Sequence, residues 1–188
     1  AAIDPALLKP LAIDDAETRI AAIAALTRAA PEEALPVLKA LAEDSLAVSG
    51  DRVVRVEGER VFDAASSREI TPPPAAYEAI SINNRVRREL AAALAALRLF
   101  SSEREVRWQA AQAVLQNADV SLLPLLERAL ASETDADIRS RLQLAHARAN
   151  LASTDATVRH AAVRKLGESS DPSVRQLLLA LTEKRGES

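Results

Sequence analysis

The chain has 188 residues and no cysteine, with 24 basic against 27 acidic side chains for a net charge of -3. Those numbers exclude disulfides, zinc–thiolate sites and a thiol nucleophile, and they give no overall field to attract nucleic acid or anionic lipid. The length suits one domain with a core, or one domain with a small insertion, and no run approaches the roughly 20 apolar residues of a membrane span. Aromatic residues make up only 2% of the chain, and alanine dominates the apolar content. That composition favours closely approaching helices over a deep aromatic-lined pocket.

In chain order, Asp4-Pro5 pairs an N-cap acceptor with a residue suited to the first helical position, predicting a short helix over 5–11. Two amphipathic segments follow at 15–29 and 31–43, the second opened by Pro31 with Glu32 and Glu33 at its positive end, and they read as one helical hairpin. From residue 46 the pattern becomes alternating. Residues 52–56 and 59–62 predict two strands joined by a turn in which Gly58 supplies positive φ, a β-hairpin insertion closed by the stiff Pro72-Pro73-Pro74 strut, so that the insertion covers 46–74.

Helical periodicity returns at Asn83 or Asn84, which cap a helix carrying Leu90, Leu94 and Leu97. Ser102 and Glu105 have capping-box spacing for the next helix. Pro124 opens a further one, stripes through Ile138, Leu142, Ala145 and Ala149 and through Val158, Ala161, Ala162 and Leu166 mark two more, Gly167 is placed to end the second, and Asp171-Pro172 opens the last.

A short box recurs through this pattern, an acidic residue followed four positions later by an arginine. Glu103 and Arg107, Asp135 and Arg139, Asp155 and Arg159, and Asp171 and Arg175 each have Val or Ile before the arginine, while Asp15 and Arg19 form a degraded fifth copy. A carboxylate at a helix entrance accepts from the first free backbone N–H groups, the branched residue points to the core, and the arginine is expected to bridge to the acid or loop carbonyls of the neighbouring repeat. The predicted fold is therefore all-α, a short irregular HEAT-like α-solenoid forming a right-handed superhelix of helical hairpins, with the β-hairpin inserted into a single domain over 1–188.

Catalytic and cofactor motifs are absent from the sequence. His146 and His160 lack carboxylates at ligand spacing, there is no nucleophile elbow, and the four glycines are too scattered to cradle a phosphate. Arg85, Arg87 and Arg88 make the densest basic cluster, but Glu89 sits inside it and the aromatic wedges of a helical-repeat glycosylase are missing. The reading is non-catalytic, with no cofactor, no metal and no nucleic acid, and protein partners are expected. An enzyme of lyase or glycosylase type is a third reading.

The blocks Ile82-Asn-Asn-Arg-Val-Arg-Arg-Glu-Leu90, Leu122-Leu-Pro-Leu-Leu-Glu-Arg-Ala-Leu130, Glu133-Thr-Asp135 and Ala162-Val-Arg-Lys-Leu-Gly-Glu168 resemble the N-terminal extension of the urea ABC transporter permease B subunit, itself similar to the branched-chain amino-acid permeases. The resemblance implies an extracytoplasmic, periplasmic domain attached to membrane helices that this sequence does not include. It also implies an accessory role in docking or assembly with the urea-binding protein or other transporter subunits, and Arg85, Arg87, Arg88 and Trp108 are then the candidate partner-binding residues. Both ends, Ala1 and Lys184-Arg-Gly-Glu-Ser188, read as edges of a longer protein. The alternative is a free-standing cytoplasmic HEAT-like interaction scaffold.

Overall fold

The computed structural model describes residues 2–186; Ala1, Glu187 and Ser188, on which the reading of the two ends partly falls, lie outside the described residues. The chain is mostly helical and, among the described residues, has nine α-helices and a small four-stranded antiparallel sheet. It divides into two compact units, Ala1–Phe100 and Ser101–Ser188.

The first unit opens with α1 (Pro5–Leu8), which tightens into a 3₁₀ turn over Lys9–Ala12, then α2 (Ala16–Ala29) and α3 (Pro31–Ala42). Asp4 and Asp15 cap α1 and α2 through their side chains. After α3 the chain reverses through Asp44 at φ 56, and the Ser45 amide returns to the Ala40 carbonyl at 2.8 Å. An Asp tolerates this left-handed position better than a branched residue does.

Four strands follow where two were expected: β1 (Leu46–Ser49), β2 (Arg52–Glu57), β3 (Arg60–Asp63) and β4 (Glu78–Ala79), in the order β3-β2-β1-β4. Gly58 at φ 64 makes the expected tight turn between β2 and β3, and Gly50 at φ 63 makes an equivalent one between β1 and β2. The proline segment leads to β4, which pairs with β1 at Ala47 and Val48. The insertion therefore extends past its expected boundary at residue 74.

The two faces of the sheet separate cleanly, as a period of two requires. Leu46 and Val53 join the main core with Leu11, Leu26, Leu38, Leu41, Leu90 and Leu97, while Ala47, Val54 and Val61 form a smaller cluster. Helix α4 (Asn84–Leu97), capped by the Asn83 side chain, packs on both α2 and α3.

The second unit contains α5 (Arg104–Asn117), a 3₁₀ turn at Val120–Leu122, α6 (Leu123–Ser132), α7 (Ala136–Asn150), α8 (Ala156–Gly167) and α9 (Pro172–Gly186). Helix α7 occupies the centre, packing on α5, α6 and α8, and α9 packs on α8. Its sequence explains this position. Besides the expected stripe of Ile138, Leu142, Ala145 and Ala149, it buries Leu144 and Ala147, which lie on the opposite side of a 100° wheel.

Three local expectations are corrected. Helix α5 starts at Arg104 with Glu103 as its N-cap, so Ser102 lies outside the helix and no capping box forms with Glu105. Val158 is 36% exposed and Ala161 is exposed as well, which leaves Ala162 and Leu166 as the buried positions of that stripe. Helix α8 does end at Gly167, but the chain leaves it in right-handed geometry at Glu168, without a left-handed glycine.

Candidate functional site

The recurring boxes are the most informative local geometry. The carboxylates of Asp15, Asp135 and Asp155 accept the backbone N–H of the third residue on, Thr18, Ile138 and Val158, at 2.8, 3.0 and 3.4 Å. Asp171 accepts the Ser173 amide at 2.9 Å and the Ser173 hydroxyl at 2.6 Å. Glu103 occupies the same position but makes no side-chain cap bond.

Three of the box arginines close the loop that precedes their own helix. Arg107 donates to the carbonyls of Ser101 and Ser102 at 3.0 and 3.1 Å, Arg139 to that of Glu133 at 3.0 Å, and Arg159 to those of Ser153 and Thr154 at 2.7 and 2.9 Å. Each folds back six residues onto the loop that leads into its own helix. Among the described residues Arg175 is exposed and makes no such bond.

The start of the loop is equally regular. The Ser101, Ser153 and Ser169 hydroxyls accept the backbone N–H of Glu103, Asp155 and Asp171, and the Glu133 carboxylate accepts that of Asp135 at 2.9 Å. The functional unit of the repeat is thus seven residues long, Ser101–Arg107, Glu133–Arg139, Ser153–Arg159 and Ser169–Arg175. Reading only acid-to-arginine spacing misses its first two positions, although Ser/Thr or Glu stands there in every copy.

Among the described residues, the expected bridges between one helix entrance and the next but one occur at two boxes. Arg19, with its side chain 8% exposed, donates Nε to the Leu11 carbonyl at 3.1 Å and Nη1 to the Ser81 carbonyl at 2.6 Å. It thereby ties the loop leading into α2 to the loop leading into α4. Arg107 does the same from α5 to α7, pairing with Glu133 at 2.9 Å. The degraded copy therefore performs the expected bridge while three of the four clean ones do not.

The remaining links along the α5, α7 and α9 entrances come from two arginines other than those that close the boxes. Arg104 donates to Asp135 at 2.7 Å, and Arg141 donates to Asp171 at 2.7 Å and to Gln112 at 2.6 Å. Trp108 is partly buried between them, with the Arg104 and Arg141 guanidinium carbons 5.9 and 4.4 Å from its ring centroid. The ring face offers Arg141 a cation–π contact, beside a buried Nε that lacks a hydrogen-bond partner.

These contacts shift the carboxylates. The Arg104 hydrogen bond, followed by the Ile138 amide, holds Asp135 below its ordinary value of 3.8. The Ser173 hydroxyl is the first cause for Asp171, which is also lowered, with Arg141 contributing. Burial pushes Glu133 up, but the Arg107 bond and the amides of Asp135 and Thr134 outweigh it, and the carboxyl lies below the ordinary 4.5. In the first unit the Thr18 hydroxyl lowers Asp15.

The basic cluster on α4 does not converge. Arg85 pairs with Glu17 at the start of α2, Arg87 reaches the Ala42 carbonyl and Asp44 at the end of α3, and Arg88 is exposed. His146 faces Glu127 at 3.6 Å and bonds Asn150, and His160 is exposed. Among the described residues no group of three His, Asp or Glu side chains is arranged to hold a metal ion, and no helix is long and apolar enough to cross a membrane.

No family model, curated protein or solved structure matches the chain.

Proposed function

We propose that the chain is a non-catalytic accessory domain whose helices stack as a short, irregular HEAT-like solenoid, and that it provides a docking or assembly surface for a urea ABC importer. The observation that carries the non-catalytic reading is the use made of the charged side chains. Asp135, Asp155 and Asp171 cap helices, Arg107, Arg139 and Arg159 close the loops that lead into them, and Arg104 and Arg141 tie one helix entrance to the next. Groups engaged in this way are held for structure, and the lowered values of Asp135 and Asp171 keep those two acids ionised, away from the neutrality at which general acid–base work is done.

Four copies of one seven-residue helix entrance support a repeat architecture, and the packing of α5 on α7 supports its stacking. The link to urea import rests on the sequence blocks at 82–90, 122–130, 133–135 and 162–168. With it come the periplasmic placement and the expected partners, the urea-binding protein and the transporter subunits.

The test is direct capture. The 188-residue chain is immobilised and challenged with purified urea-binding protein and with the detergent-solubilised transporter. Saturable retention of either is the expected result. Retention of neither overturns the importer reading and leaves the cytoplasmic scaffold as the surviving one.

A further inference from the structure

The first unit holds a groove of about 720 Å³ that the helix-entrance boxes do not touch. Its walls are the segment through α1, the β1–β2 turn and the loop after β3, and a backbone bond from Ile3 to the Ala65 carbonyl at 2.8 Å fixes two of them together. Ile3, Leu8 and Val53, all buried, and the partly buried Ile70 give it an apolar floor.

The rim is charged, with a slight cationic excess once its one ion pair is set aside. Glu69 is already neutralised by a two-pronged bond from Arg60 at 3.0 and 2.6 Å, and Asp63 is turned to the Ser66 amide and hydroxyl at 2.7 and 2.8 Å. Lys9, Arg52 and Arg68 are exposed and make no side-chain hydrogen bond or ion pair with the described residues. Counting Asp63, whose serine donors leave its charge in place, three unpaired cations therefore stand against the two carboxylates of Asp51 and Asp63 among the described residues.

We propose that this groove binds an extended acidic polypeptide segment, its apolar side chains on the floor and its carboxylates at Lys9, Arg52 and Arg68. The three cations sit on three different chain segments around an apolar strip. That pattern matches a strand alternating carboxylates with apolar side chains, whereas a compact inorganic anion leaves the floor unused. The volume is that of a sizeable ligand, and the floor offers no aromatic ring on which a nucleic-acid base could stack. The inference deepens the docking reading and rests on it only in taking the partner to be a protein.

The experiment is fluorescence anisotropy with the whole chain and a labelled ten-residue peptide alternating glutamate and leucine. The controls are Lys/Leu and Glu/Ser peptides of the same length, with inorganic phosphate as competitor. Saturable binding of the Glu/Leu peptide is expected. It should weaken at least about tenfold in the double variant Arg52→Glu, Arg68→Glu, because several exposed charge contacts are reversed together, and it should weaken as salt is raised. Lys9→Glu serves as a second variant should the double one lose its circular-dichroism signature.

Absence of saturable binding, equal binding of the Lys/Leu peptide, or affinity indifferent to both variants overturns the proposal. Equal binding of the Glu/Ser peptide with displacement by millimolar phosphate also overturns it, in favour of a plain anion site. Capture of a transporter component that persists in the double variant removes the groove and leaves docking standing. Peptide binding without any such capture does the reverse.

Discussion

The two units use different forces to reach the same kind of helix packing. In the first, Leu11, Leu26, Leu38, Leu41, Leu46, Leu90 and Leu97 are fully buried, the ion pairs Arg60–Glu69, Arg85–Glu17 and Arg87–Asp44 lie on exposed surface, and the largely buried Arg19 and Arg55 pair with acids, Asp14 and Glu57, that are themselves exposed. In the second, Leu126, Ile138, Leu142 and Leu166 make up the fully buried large side chains among the described residues. There the pairs move inward, with side-chain exposure of 19% and 3% for Arg107 and Glu133 and of 23% and 15% for Arg141 and Asp171. Apolar burial does not titrate and is not screened by salt, whereas a charged seam does and is. The same sequence device, an acid-capped helix start, therefore sits on top of a leucine core in one unit and shares the burden of packing in the other.

The comparison can be broken most forcefully at the leucine core. Leu38→Ala is expected to cost about 2 to 5 kcal/mol, measured by denaturant unfolding, and a loss well under about 1 kcal/mol would mean that the first unit is not held as described.

Acid should separate the units next. Asp135, Asp171 and Glu133 have folded values below their ordinary ones, so their contribution is fully present above the ordinary 3.8 and 4.5 and is lost as pH falls through the lowered values. Below about pH 4, amides of α5 and α7 should therefore lose hydrogen-exchange protection before those of α2 and α3. The first unit shares this liability at Asp15 and Glu69, but its leucines do not. Simultaneous loss of protection would contradict the distinction.

A smaller effect sharpens the role of the box arginines. Arg159→Ala removes two bonds to the carbonyls leading into α8 and is expected to destabilise by about 1 kcal/mol. An unchanged melting temperature would reduce the loop closure to decoration.

Local signals made most of the helices legible. Asp4-Pro5, Pro31 and Asp171-Pro172 mark helix starts because capping and proline geometry act within a few residues, and Gly58 marks the hairpin because its backbone φ is decided on the spot. Beyond that range the sequence was less informative. Strand β4 has only two residues and exists because β1 offers an open edge, which no local pattern announces. Leu144 and Ala147 became buried because α7 is covered on two sides, a fact about its neighbours. Val158 is expected in the core from its place in the box and in the helical stripe, yet it is 36% exposed.

The seam shows the same limit. Arg104 and Arg141 stand outside the acid-to-arginine spacing, and their targets Asp135 and Asp171 lie about 30 residues downstream, one helix pair further on. Glu133 reads as a loop acid until α5 supplies Arg107 across from it. A further signal in the sequence is the Ser or Glu two residues ahead of each clean box acid, whose side chain accepts that acid's backbone N–H.

If inward-facing charge pairs hold the second unit, a double-mutant cycle on Arg107 and Glu133 must reveal their coupling. With Arg107→Ala, Glu133→Ala and the double variant compared by denaturant unfolding, the expected coupling is at least about 1 kcal/mol. Additive single effects, with coupling indistinguishable from zero, would contradict the account.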